Sequence, residues 1–439
     1  MTKIFTYFII LIQFICSAQT NKNIIYIQNS EIKLGVNLDH GGAISYLTET
    51  ASAENMINNS DWGRKVQMPI YTNPKAYIPE SGKQIQESWA FFGWNPIQSG
   101  YVGVFKSKLV DYYQGKDSIY IKSIPMQWPL SNVPGECFFE SSIKIKGNIV
   151  QVNNRIINNQ IDKTQYPIPS QELPAVYVNA AYHRLVTYKG DKPFKNDTVS
   201  EIPQNSKTEP KWNPCQATEN WVAHLNDNDF GLGIYTAEVP SYIGDFYGKK
   251  DAGGTKDGPT DYGVPILKEV LDDNIVYDYS YNLCVGTLQD IRNMSTKNRT
   301  PLSQLKHNFK NDRDHIHYEG SNDKDFPVND KLITEPQKRN TSIKSTNISY
   351  TIRKNFNFYM NAMFPVNTKQ VSLICSSHAN MDEMIYNLPV QADNKFHRYQ
   401  IHLKNKSEKD YTTSQLKIKV AFENVDKNTQ VQIKEFGIE

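Results

Sequence analysis

Apolar and polar residues alternate with a period of two along much of this chain. Ile143 and Ile145 alternate with Lys144 and Lys146, Gly147-Asn148 supplies a hairpin-type turn, and Val150 and Val152 resume the alternation. Ser118-Ile119-Tyr120-Ile121-Lys122 reads the same way. Successive side chains of a strand point to opposite faces, so these segments predict half-buried strands. Towards the end, Tyr399, Ile401 and Leu403 form one face, and Leu416, Ile418, Val420 and Phe422 form another, opposed by Lys417 and Lys419. Val431 and Ile433 then precede Phe436 and Ile438. Helical periodicity is rare. Its best example is Leu288 to Met294, with Thr287 placed as a cap. The pattern predicts an all-β chain and shows no solenoid or propeller repeat.

Two stretches break the pattern. Residues 303–347 hold Lys306-His307-Asn308, Asn311-Asp312-Arg313-Asp314 and Glu335-Pro336-Gln337-Lys338-Arg339-Asn340, with few large apolar residues. They are expected to be a polar linker between a β domain at 24–302 and a smaller jelly-roll β-sandwich at 348–439. The front of the chain reads as a signal peptide, residues 1–18. Lys3 precedes the apolar run Ile4 to Ile15, and Cys16-Ser17-Ala18 offers small residues for cleavage after Ala18. An acylated Cys16 is the rival reading, opposed by the bulky Ile15. The run falls short of the roughly 20 residues of a transmembrane helix. A periplasmic or secreted location is expected.

Composition narrows the picture modestly. The formal charge is +2, which gives no field for steering a polyanion and argues against nucleic acid as a partner. Cys137, Cys215, Cys284 and Cys375 are scattered without metal-ligand spacing; buried thiols and one disulfide are both open. No cofactor is predicted and no metal site is assigned, although a structural calcium ion is compatible with the chain.

The segments Val36-Asn37-Leu38-Asp39-His40-Gly41-Gly42-Ala43-Ile44-Ser45-Tyr46-Leu47 and Asp61-Trp62-Gly63-Arg64-Lys65-Val66-Gln67 resemble the opening of galactose mutarotase-like β-supersandwiches. That resemblance, over residues 24 to 300, implies a sugar cleft with polar loops above it. Met384-Ile385-Tyr386-Asn387-Leu388-Pro389-Val390 and Phe396-His397-Arg398-Tyr399-Gln400-Ile401 resemble, more loosely, jelly-roll modules appended to polysaccharide-active enzymes.

Several segments carry residue types suited to such a cleft. Trp89, Trp94, Asn95 and Gln98 put aromatics beside amides, the mixture a pyranose needs for stacking and hydroxyl recognition; core packing is the competing role of the indoles. Asp61-Trp62-Gly63-Arg64 offers an aromatic, a carboxylate and a guanidinium, with Arg64 suited to a substrate carboxylate or to a structural pair with Asp61. Glu172 lies before the apolar Leu173-Pro174-Ala175-Val176-Tyr177, where burial would raise its pKa and suit it to general acid work. Tyr177 is a further substrate-binding candidate. His183, after Tyr182, is the preferred histidine for a base; His40 and His224 read as structural or cleft residues. Asp251-Ala252-Gly253-Gly254-Thr255-Lys256-Asp257-Gly258 lacks phosphate-loop spacing and reads as a surface loop, and His315-Ile316-His317 lacks a third ligand. The leading expectation is hydrolysis of an extracellular poly- or oligosaccharide by Glu172 and Asp61. Elimination on a uronic-acid glycan with Arg64 and His183, and glycan binding without catalysis, are the alternatives.

Overall fold

The computed structural model describes residues 23–72, 82–83, 93–101, 104–159, 168–204, 212–237, 239–269, 271, 275–299, 305–310, 312–323, 328–345, 348–352, 355–377, 383–404, 411–423, 425–427 and 429–439. The segment expected to be a signal peptide, and Trp89, lie outside them. The fold is all-β. Among the described residues, two nine-stranded antiparallel sheets form the N-terminal body. The first runs in space Ile24–Gln28, Ile32–Asn37, Ala43–Glu49, Val66–Gln67, Ala175–Asn179, Thr260–Lys268, Ser241–Tyr247 and Asn213–Gln216, with Ser170–Glu172 also paired to Thr260–Lys268. The second runs Ser200–Glu201, Arg184–Thr187, Trp221–Leu225, Phe230–Tyr235, Ile275–Thr287, Ile149–Asn158, Cys137–Lys146, Ser118–Ile124 and Lys108–Gln114.

The alternation read from the sequence sets the inward faces. Ile143, Ile145, Val150 and Val152 are buried with Leu34, Val36, Val176 and Val178 in one core. Lys146 pairs with Ile149, so Gly147-Asn148 is a two-residue turn, and Gly147 takes the left-handed conformation that glycine adopts without cost. The helix Leu288–Asn298 begins at Thr287 with a capping box closed by Asp290. It buries Ile291 and Met294 against the second sheet. Glu219 anchors it from below, accepting from Arg292 Nη2 at 2.7 Å and Nε at 3.1 Å, and also from Trp221 Nε1 and the Phe194 amide.

The C-terminal body is a sandwich of two six-stranded sheets among the described residues. Its composition corrects the expected linker. Leu305–Asn308, Ile316–Glu319, Leu332–Pro336 and Asn340–Ser345 are strands paired into the two sheets. Leu305, Phe309, Ile316, Val328, Leu332 and Ile343 enter the same core as Phe358, Val420 and Ile438. These strands are short and carry one or two large apolar residues each, too few to register as a period. All four cysteines from 137 onwards are buried and free.

Candidate active site

Residues directly opposite one another in paired strands share a face. Tyr177 faces Tyr262 across one strand pair, and Tyr262 faces Asp245 across the next. Glu172 pairs with Ile266, four residues from Tyr262 and therefore on the same side. The alternate residues point inward: Asp261 meets His224 of the second sheet at 2.8 Å. Glu172, Tyr177, Tyr262 and Asp245 thus occupy the face of the first sheet turned away from the sandwich interior.

Rings line this face. Tyr177 and Tyr262 have centroids 4.5 Å apart, and Trp212 meets Tyr262 edge-on at 4.6 Å. Trp212 and Tyr247 are both about two-fifths exposed, at 42% and 41%. Arg64 lies over the Tyr247 ring. Its guanidinium is fixed by Asp61 at 3.1 Å, by the Asn58 side chain and by the Gly258 carbonyl. Asp61 also accepts from the Gly63 and Arg64 amides, so it holds its own turn closed. Burial, then the charges of Glu172 and Asp61, push the Tyr177 hydroxyl well above the usual tyrosine range, and Arg64 offsets this in part.

Glu172 is the electrostatic centre. Burial pushes its pKa up to about 7, because desolvation disfavours the carboxylate, and the neighbouring Tyr262 and Tyr71 hydroxyls offset this only in part. Burial, then the Glu172 charge, in turn push the Tyr71 and Tyr262 hydroxyls well above the usual tyrosine range. The Tyr262 hydroxyl stands beside the carboxyl near enough to stabilise its charge, yet falls short of hydrogen-bond geometry. Gln171, fully buried, fixes Tyr71 by accepting from its amide at 3.0 Å and donating to its carbonyl at 2.8 Å. One residue of the Gln171-Glu172 pair therefore carries the titrating group, and the other positions its neighbour.

The remaining sequence candidates fall elsewhere. Trp94, Asn95 and Gln98 are buried, which corrects their reading as a sugar platform. The Trp94 indole donates to the Gly135 carbonyl, the Asn95 amide donates to the Ile70 carbonyl, and Gln98 bridges Met68 and Gly41. These amides satisfy loop backbone rather than solvent-facing ligand. Trp62 packs on His40 at 4.6 Å, and burial followed by the Lys65 charge pushes the His40 pKa down to about 4. His183 lies beyond the far end of the Tyr177 strand, beside Asp227 and Asp251, apart from Glu172. A cavity of about 570 Å³ is lined by Glu140, Arg155 and Asp278 among others. Its acids are paired, Glu140 with Lys122 at 2.8 Å and Asp278 with Arg155 at 2.7 Å.

Tyr71, Tyr262, Trp212 and Tyr247 were not legible as site residues. Their proximity arises from tertiary pairing, Tyr177 with Tyr262 85 positions on and Tyr71 with Gln171 100 positions on, to which a local pattern is blind. The one local signal was an acid and an amide set against an apolar run at Gln171-Glu172.

No protein-family model matches the chain, and no curated protein matches it. Among solved structures, the chain is similar to a galactose mutarotase related enzyme from Lactobacillus acidophilus, at 12% identity, covering 60% of this chain and 97% of that one, with a TM-score of 0.36. It is similar to a galactose mutarotase-like protein from Lactobacillus casei at 10% identity, covering 60% and 99%, with a TM-score of 0.39. A Paenibacillus xanthan lyase matches 94% of this chain and 51% of its own length at 8% identity, with a TM-score of 0.33. These are likenesses of fold; function rests on the geometry of the site.

Proposed function

We propose that this chain is an exported carbohydrate-active protein that cleaves glycosidic bonds by acid/base hydrolysis, with Glu172 as the proton donor. The observation that carries the reading is the Glu172 carboxyl, sunk among Tyr71, Tyr177 and Tyr262 with its pKa near neutrality. Cleavage with the leaving oxygen protonated needs an acid that keeps its proton near the working pH. Trp212 and Tyr247 supply partly exposed ring faces for a sugar. Asp61, held by Arg64, is the partner carboxylate in this reading. Elimination is the weaker reading on two grounds. The tyrosines around Glu172 are pushed up, which makes them poor bases, and His183 belongs to a different cluster.

The test is incubation of the purified protein with a panel of neutral, uronic-acid and sulfated polysaccharides. Hydrolysis releases reducing ends without ultraviolet absorbance. Products absorbing as unsaturated uronates would replace hydrolysis with elimination. Binding with neither product would reduce the site to glycan recognition.

A further inference from the structure

We infer that His183, Asp227 and Asp251 form a binding site for a divalent transition-metal ion, distinct from the Glu172 centre. The three residues come from separate segments: the turn after Ala175–Asn179, the turn before Phe230–Tyr235, and the glycine-rich loop after Ser241–Tyr247. One donor atom from each lies within 4.8 Å of the other two. His183 is 7% exposed, whereas the two aspartates reach solvent, so the cluster is a half-open cup with an imidazole floor.

The independent sign of a ligand is the imidazole itself. Nδ1 of His183 is buried and has no hydrogen-bond partner, although Asp251 Oδ1 lies 2.9 Å away, and Nε2 has Asp227 Oδ1 at 3.3 Å. A buried ring nitrogen ordinarily hydrogen-bonds to a neighbouring carboxylate, because leaving it unmade costs about 1–3 kcal/mol. One ring offers one nitrogen to an ion, and the close approach of Asp251 to the unpartnered Nδ1 without hydrogen-bond geometry is what two co-ligands of one ion show. Donors about 2.0–2.2 Å from a tetrahedral zinc stand roughly 3.3 Å from each other, with their lone pairs aimed at the ion rather than at one another.

The cup is held in shape by contacts that do not use its donor atoms. The Asp251 amide donates to the Ala180 carbonyl at 3.2 Å, tying the glycine-rich loop to the His183 turn. Arg184 pairs with Asp229 at 2.7 Å and donates to the Asn226 carbonyl, fixing the turn that carries Asp227. Asn226 closes that turn by accepting from the Asn228 and Phe230 amides. The donor set selects the ion. One imidazole with two carboxylates suits zinc or manganese, whereas calcium takes oxygen ligands. The glycine-rich loop also supplies the Gly258 carbonyl to Arg64, so an ion here would fasten the loop that borders the Glu172 face.

The experiment uses the full chain stripped with chelator, titrated calorimetrically with Zn²⁺ and, in parallel, with Ca²⁺. One equivalent of Zn²⁺ should bind and raise the melting temperature, and Ca²⁺ should do neither. Asp251→Asn, at an exposed position that leaves the core intact, should weaken Zn²⁺ binding by roughly tenfold or more, and His183→Ala should abolish it. Absence of stoichiometric Zn²⁺ binding, or Zn²⁺ binding unchanged in Asp251→Asn, would overturn the site. Equal stabilisation by Ca²⁺ would overturn the imidazole's role. None of these readouts depends on glycan cleavage, so the outcome is separate from that of the proposed hydrolysis.

Discussion

At the scale of single residues, the chain concentrates its unusual chemistry in Gln171 and Glu172. The Glu172 carboxyl is neutral in the unfolded chain only below about 4.5, and in the folded protein up to about 7. Its contribution to stability is therefore fully present below about pH 4.5 and is lost as the pH rises through about 7. With partial exposure taken into account, the loss is on the order of 2 kcal/mol. Glu172→Gln remains neutral, so its stability should not decline over that range and should exceed that of the parent protein near pH 8. Urea unfolding at about pH 5 and about pH 8 measures this, and parallel behaviour of the two proteins would show the carboxyl to be unburied. The acid was legible because an apolar run with one carboxylate is rare; its tyrosine partners were not, because they arrive from other strands. Trp94 shows the converse. An aromatic beside amides reads as a sugar platform, but the same residues equally satisfy buried loop backbone, and only tertiary packing decides between them.

At the scale of elements, the helix Leu288–Asn298 is short, and its own propensity does little to hold it. What fastens it is the buried pair of Arg292 and Glu219, with Glu219 also serving Trp221 and Phe194. Glu219→Ala would leave Arg292 buried without its carboxylate and should destabilise the protein by about 3–5 kcal/mol. Chemical denaturation checks this; a change under about 1 kcal/mol would show that water replaces the carboxylate freely. The helix and its cap were readable because Thr287, Asp290 and the apolar spacing agree within one turn. Glu219 was not, since it lies 73 residues away in sequence.

At the scale of the whole molecule, the alternation made the all-β class and the two bodies visible, while the boundary between them was misplaced. Strands such as Leu305–Asn308 carry Leu305 and His307 inward, and the polar inward residue hid the period. The consequence is testable with fragments. Residues 300–439 contain every described strand of the C-terminal sandwich and should fold with a cooperative melt. Residues 345–439 lack Leu305, Phe309, Ile316, Leu332 and Ile343 from the shared core and should not. A cooperative melt for the shorter fragment would restore 303–347 to the role of linker.

The central claim, that Glu172 donates the proton in glycosidic cleavage, is tested most directly by the turnover of Glu172→Gln on whichever glycan the panel identifies, with the melting temperature as a control for folding. The substitution keeps the side chain's size and removes its titrating proton. Turnover should fall by about 100- to 10,000-fold in a folded protein that still binds the glycan, and the parent protein's activity should decline as the pH rises through about 7. Parental turnover in the folded variant would contradict the assignment and leave Glu172 a structural carboxyl.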